Sequence, residues 1–456
     1  LEKAIVSELI ISVSGLRGIV GENLTPDVAI RYVCAFESTL PEGPIVITRD
    51  GRTTGRLLAN ALFSGLCAAG REVIDAGIAA TPTTGVLIRE HNAAGGIQIS
   101  ASHNPPPYNG LKLFGREGRI LTAAAGEPVT ERYRSGNMTW VAHDRIGNVV
   151  PCEDTISEHG TLVLATVDVE KIRSRRFKIL LDSNHSSSAL LGRYLLDQLN
   201  CDLIHVGAEP DGNFSHALEP TEENLRRECS QVSAAGANAG FFPDPDGDRL
   251  AVVDETGRYV GEEYTLALCV DHILRQHPGT VVTNAATSRM SEDISQRYGV
   301  PFVRSRVGEA NVVEAMLVHN AVFGGEGNGG AIDPRVGYVR DSFVGMALIL
   351  DAMAAREMKL SQLVDDLPRY YIQKRKLTLD RDKLPEAVEI LKQHFTDARL
   401  DESAGIRFNW DDKWLLLHPS NTEPIVRLIA ETRSPDETNA LCDKAVQALL
   451  AIKHEP

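Results

Sequence analysis

Three stretches of this 456-residue chain repeat one layout: a short apolar strand, a turn of small and polar residues, a helix-period run, and a second apolar strand. No other feature restricts the fold as much. Strands separated by a helix cannot close as a hairpin and must cross over the face of a sheet. The first stretch runs through strand 44–48, turn 49–55, helix 56–69 and strand 73–74. The second has strand 177–181, turn 182–185, helix 188–199 and strand 203–206, and the third has strand 280–284, a turn, helix 291–298 and strand 302–303. Residue identity barely recurs, so the repeat is one of pattern alone.

After residue 368 the pattern changes to a strand over 370–377, a helix over 385–395, short strands at 405–408, 414–417 and 425–430, and a final helix over 435–452. A chain this long exceeds what one core can serve. The expected class is α/β, with three tandem α/β domains of mixed or parallel sheets followed by a small α+β domain. Turn residues near 149–151, 254–257 and 366–368 place the domains at 1–150, 151–256, 257–368 and 369–456.

Composition narrows the function. Apolar residues make up 43% and charged residues 24%, as in soluble globular proteins, and no apolar run approaches the roughly 18 residues of a membrane helix. The first residues lack a secretory pattern, so a cytoplasmic protein is expected. Seven scattered cysteines without a CxxC pair suggest reduced thiols rather than a zinc ribbon or disulfide framework. A net charge of −15 counts against nucleic acid or an anionic membrane as partner. An anionic small molecule stays open, provided Arg, Lys and backbone N–H groups cluster locally.

Several loops carry chemistry. Ser102 and His103 precede Pro105, Pro106 and Pro107, with Lys112 ten residues on from the serine. This stretch reads either as a polar turn or as a reactive serine held still by the prolines. Asp244, Asp246 and Asp248 alternate between strand-like apolar runs and precede Arg249. Carboxylates at that density favour a hard cation such as Mg²⁺ over a solvated turn. With Glu255 they also match EF-hand ligand positions, but Arg249 stands where that loop needs glycine. Residues 324–330 form a glycine-rich loop carrying Glu326 and Asn328, suited to close approach by a hydroxyl-rich ligand. Ser420, Asn421 and Thr422, with Arg427 nearby, read as a phosphate cradle or as a hairpin turn. Arg17 between Gly15 and Gly18 reads as a phosphoryl contact or as an ordinary turn.

Taken together, SASHNPPPYNGLKL, DPDGDR, GEGNGG and SNTEPIVR, in this order, resemble the α-D-phosphohexomutase family over essentially the whole chain. That resemblance implies a heart-shaped four-domain enzyme around a central cleft, whose domains carry in turn the phosphoserine, the metal, the sugar and the second phosphate. It implies that Ser102 carries a phosphoryl group and joins Asp244, Asp246 and Asp248 around Mg²⁺. Arg17, His103 and Lys112 would line the transfer site, with Arg249 close by. Gly308, Glu309, Glu326 and Asn328 would face the sugar, and Ser420, Asn421, Thr422 and Arg427 the phosphate that does not react.

The implied activity interconverts a hexose 6-phosphate and a hexose 1-phosphate through a 1,6-bisphosphate, which also serves as activator. Glucosamine phosphate is the first choice of substrate, and mannose or glucose phosphate the next. A monomer or homodimer is expected. A serine phosphohydrolase and a non-catalytic sugar-phosphate sensor are the alternatives of other classes. Four positions depart from the family pattern: His418 in place of Arg, Gly330 in place of His, Glu309 in a Gly-His position, and Val-Ser-Gly-Leu-Arg-Gly at 13–18.

Overall fold

The computed structural model describes residues 9–12, 14–419, 425–450 and 452. The first sheet comprises β1 (Ile10–Ser12), β2 (Gly15–Ile19), β3 (Ile45–Arg49), β4 (Val73–Ile78), β5 (Gly95–Ile99), β6 (Tyr108–Gly115) and β7 (Val149–Pro151), in the order β1-β2-β6-β5-β3-β4-β7. The second holds β8 (Lys178–Asp182), β9 (Asp202–Val206), β10 (Ala239–Pro243) and β11 (Leu250–Asp254), ordered β11-β10-β8-β9. The third holds β12 (Val281–Asn284), β13 (Phe302–Ser305), β14 (Phe323–Glu326) and β15 (Gly330–Ile332), ordered β13-β12-β14-β15.

One unit is built three times. In each, the first strand lies between two parallel partners, and the third strand pairs with an antiparallel fourth. The connection from third to fourth strand spans residues 100–107, 244–249 and 327–329 in the three units. The serine, aspartate and glycine-rich loops therefore hold the same topological position, at the ends of buried strands.

The turn after the first strand supports that loop in every unit. Arg52 donates to carbonyls of the first, Ser187 Oγ donates to Pro245 O of the second at 2.8 Å, and Gly327 N of the third donates to Thr287 Oγ1 at 3.0 Å. Short strands flanked by crossover helices leave their ends as the only backbone free to carry such loops.

The second and third units share one apolar core. It runs from Ile179, Leu181 and Phe241 through Leu266 and Phe323 to Phe343 and Leu350. At its centre lies the helix Ser342–Arg356, buried on all sides from Ser342 to Ala354, its apolar sequence interrupted by Asp351, which pairs with His272 at 2.7 Å. The first boundary, drawn at residue 150, falls inside β7, whose Val149 pairs with Val73 of β4, so the first sheet extends to Pro151.

The fourth domain is an antiparallel sheet of β16 (Tyr371–Thr378), β17 (Arg399–Asp401), β18 (Ile406–Asn409), β19 (Trp414–Pro419) and β20 (Ile425–Thr432), ordered β16-β20-β19-β18-β17 and packed against the helices Leu384–His394 and Pro435–Leu450. It meets the third unit through Glu431, which accepts from Arg289 N at 3.0 Å, and through Arg407, whose Nη1 donates to Ala285 O while its guanidinium lies 4.0 Å from the Trp414 ring centre.

Candidate active site

Ser102 is buried at the tip of the first loop with φ +49°, in the left-handed region that a serine seldom adopts. Holding it there costs about 1–3 kcal/mol, so its surroundings must impose the shape. Pro105, Pro106 and Pro107 are exposed, and Arg52 adds a restraint from inside the loop. Its Nη2 donates to Ser102 O at 2.6 Å and Asn104 O at 2.5 Å, and its Nη1 to Pro105 O and Tyr108 O, both at 3.0 Å. Asp50 orients the guanidinium through Nε at 3.1 Å and accepts from Ser100 Oγ at 2.7 Å, while Ser100 Oγ accepts from Ser102 N at 2.8 Å. Burial pushes the Asp50 carboxyl up to about 6, against the pull of Arg52.

Because Arg52 and Asp50 are both buried, Arg52→Ala leaves an uncompensated charge and takes a donor from each of four carbonyls. The expected loss is about 3–5 kcal/mol of stability by urea unfolding, with only partial recovery in Arg52→Lys. A loss below about 1 kcal/mol would mean that the loop keeps its shape without the clamp.

Ser102 Oγ donates to Asp244 Oδ2 at 2.7 Å and lies 3.3 Å from His103 Nδ1. Asp244 Oδ1 in turn accepts from Asp248 N and Arg249 N at 3.1 Å. Asp246 is held by Thr81 Oγ1 and Lys112 Nζ at 2.5 Å each, and Asp248 by Lys112 Nζ and Arg340 Nη2 at 2.7 Å each. All three aspartates are buried, and one oxygen from each lies within 4.8 Å of the others. Burial, then Asp246 and Asp248, push the Asp244 carboxyl well above its usual range. Lys112 keeps its charge because Asp246 and Asp248 outweigh its burial. Burial, followed by Arg249 and Arg17, brings His103 down to about 3.

The donor set fits a divalent cation. Asp246 Oδ1 and Asp248 Oδ1 are buried without any hydrogen-bond partner, a costly state for a carboxylate unless a cation meets it. Oxygen ligands of this kind suit Mg²⁺.

The third loop faces the first across a cavity of about 470 Å³, lined by Arg17, Ser100, Lys112, Gly308, Glu309 and Glu326 among others. Glu326 Oε1 accepts from Asn284 Nδ2 at 2.6 Å and Gly308 N at 3.2 Å, and its Oε2 from Arg340 Nη1 at 2.8 Å. Asn328 closes its own loop by accepting from Gly330 N at 3.3 Å. Glu309 gives both carboxylate oxygens to Arg340, to its backbone N at 2.8 Å and its Nε at 3.1 Å. Asn104, with its amide oxygen turned inward, accepts from Arg17 Nη1 at 2.8 Å. Arg249 Nε is buried without a hydrogen bond, 3.9 Å from Asp248 Oδ1.

Ser420, Asn421 and Thr422 lie outside the described residues. Arg427 is exposed on β20 directly across from His418 of β19. Sequence reasoning missed Asp50, Arg52, Thr81, Asn284 and Arg340. The first two were visible as a charged pair in a turn, which surfaces also supply; the other three stand alone in the sequence without a local signature.

The models for phosphoglucomutase/phosphomannomutase alpha/beta/alpha domains I, II and III match residues 9–139, 158–257 and 262–371, and that for the C-terminal domain matches residues 375–448. A Thermococcus kodakarensis protein named "Phosphoglucomutase/phosphomannomutase" is 36% identical, over 95% of this chain and 97% of its own. A Pyrococcus horikoshii protein named "Probable phosphoglucosamine mutase" is 33% identical, over 95% and 96%. The crystal structure of a phosphoglucomutase/phosphomannomutase family protein from Burkholderia thailandensis superposes with a TM-score of 0.82 at 26% identity, covering 98% of this chain and 99% of that one. Four matched domains in this order define an enzyme of the phosphohexomutase class, with the mixed-sheet α/β domains and α+β terminus expected from the sequence. The chain belongs to the phosphoglucomutase/phosphomannomutase family. Among the described residues no helix is long and apolar enough to cross a membrane.

Proposed function

We propose that this enzyme interconverts a hexose 6-phosphate and a hexose 1-phosphate by way of a phosphoserine at Ser102. The observation that carries the reading is the Ser102 hydroxyl, clamped in the left-handed region and hydrogen-bonded to one of three buried aspartates whose neighbouring oxygens lack partners.

In the forward half-reaction the bond from phosphorus to Ser102 Oγ breaks and one to the sugar O1 forms, with the O1 proton passing to Ser102 Oγ by way of His103, giving a 1,6-bisphosphate. After the sugar turns over, its original phosphate returns to Ser102. His103, beside Oγ and held neutral, exchanges the serine proton. Lys112 is engaged by Asp246 and Asp248 and serves as a fixed cation. Arg17 and Arg249 supply positive charge to the phosphoryl oxygens. Asp244, Asp246 and Asp248, with the phosphoserine, would hold Mg²⁺, which when bound neutralises phosphoryl charge. Glu326 accepts hydrogen bonds from sugar hydroxyls, with Gly308, Glu309 and Asn328 around it.

The cradle for the second phosphate is assigned to Ser420, Asn421, Thr422 and Arg427 on the motif alone. One cradle must accept either end of the sugar, so the fourth domain opens as a lid while the bisphosphate turns.

Glucosamine phosphate is the preferred substrate, in line with the name of the Pyrococcus horikoshii relative. A panel of glucosamine, glucose and mannose 1-phosphates, assayed with Mg²⁺ and catalytic hexose 1,6-bisphosphate, should give the highest kcat/KM for glucosamine 1-phosphate. Stoichiometric release of free phosphate instead of isomer would replace the mutase with a hydrolase.

A further inference from the structure

Arg340 lies between β15 and the helix Ser342–Arg356, and its guanidinium meets acids from three separate parts of the chain. Nη2 reaches Asp248 of the aspartate loop at 2.7 Å, Nη1 reaches Glu326 of the glycine-rich loop at 2.8 Å, and Nε reaches Glu309 at 3.1 Å. The residue is 8% exposed. Burial opposes its charge, but the three carboxylates hold it firmly protonated.

Its path depends on Gly330. A Cβ at that position would lie 2.4 Å from Arg340 Cδ, so a side chain there requires the arginine stem to move. The absence of a side chain at 330 thus has a structural counterpart: the space belongs to a cation delivered from ten residues downstream.

We infer that Arg340 is a positioning residue that couples the metal loop to the sugar loop, holding Asp248 and Glu326 in one register through a single planar fork. The inference rests on the roles proposed above for those two acids. Arginine is required because its two Nη atoms point to different carboxylates, whereas a lysine ammonium presents all its donors from one nitrogen. Because outer-sphere partners of a metal-binding carboxylate commonly tune affinity 10–100-fold, loosening the fork reaches both ligands at once. Each acid also has a second restraint, Glu326 in Asn284 and Gly308 and Asp248 in Lys112.

The test uses the full-length chain and titration calorimetry, with Mg²⁺ alone and with glucosamine 6-phosphate as probes, alongside melting temperature. In Arg340→Lys, Mg²⁺ affinity and sugar-phosphate affinity should both fall, by about 10-fold each. Glu326→Gln should weaken the sugar phosphate and leave Mg²⁺ affinity unchanged. An Arg340→Lys protein that melts lower yet keeps either affinity would overturn the coupling and leave a purely structural arginine. Should Arg340→Lys not fold, Gly330→Ala displaces the stem without removing the charge. It should reproduce the double loss, and unchanged affinities there would equally overturn the inference. Wild-type protein that binds Mg²⁺ but no hexose phosphate would instead refute the proposed function, a result distinct from either variant outcome.

Discussion

Ser102→Ala is expected to abolish turnover, by at least about 10⁴-fold, because no other hydroxyl takes the place of an activated nucleophile when it is removed. Ser100 is the nearest alternative in the loop, and its Oγ is already committed to Asp50 and to Ser102 N. The variant should still fold. It loses one charge-assisted hydrogen bond to Asp244, worth about 1.5–3 kcal/mol, while the Arg52 clamp acts on backbone carbonyls that alanine retains. Mass spectrometry after incubation with hexose 1,6-bisphosphate should find phosphate on wild-type Ser102 and none on the variant. Full activity in Ser102→Ala would remove the phosphoserine from the mechanism.

Chelation of divalent metal is expected to have the next largest effect. Three buried carboxylates share one small volume, and Lys112 and Arg340 neutralise only one oxygen each on Asp246 and Asp248. The opposite oxygens accept no hydrogen bond, and among the described residues only that of Asp248 has a cation near it, Arg249 Nε at 3.9 Å. Stripping the metal should lower turnover by about 10²–10³-fold, the scale of losing one preorganised charge at a transition state.

The same ion should stabilise the fold, because it binds the native arrangement and not the unfolded chain. Saturation at 100 times the dissociation constant adds about 2.7 kcal/mol, visible as a rise in melting temperature on adding Mg²⁺. Asp246→Asn should lose that rise together with activity. A chelated protein with full turnover and an unchanged melting temperature would show that Lys112, Arg17 and Arg249 suffice.

Much of the site was legible because its chemistry is local. Ser102 with His103, the alternating Asp244, Asp246 and Asp248, and Glu326 among glycines are each recognisable within about ten residues. Some helices and strands also followed from short-range periodicity: the first strand, expected over 44–48, is Ile45–Arg49, and the helix expected over 188–199 is Ser188–Gln198. β17 escaped notice because three residues carry no period. The agents that make the loops act together were not legible. Arg52 clamps carbonyls fifty and more residues away, Thr81 grips Asp246 across two domains, and Arg340 joins residues from three segments. Side-chain partners at such separations are chosen by packing, and a lone arginine or threonine looks the same on a surface as in a core.

The amino-acid sequence by itself determined three α/β units with an α+β terminus and a candidate reactive group on each of the first three key loops, because strand period, helix period and motif spacing are properties of neighbouring residues. Only the tertiary structure decided that those loops occupy one topological position in three copies of the same unit. It also decided that Arg52 grips the serine loop from inside, and that the stem of Arg340 lies against Gly330. The physical reason is that the orientation of a buried charge is set by every group that compensates it. For Ser102, Asp248 and Glu326 those groups arrive from distant parts of the chain.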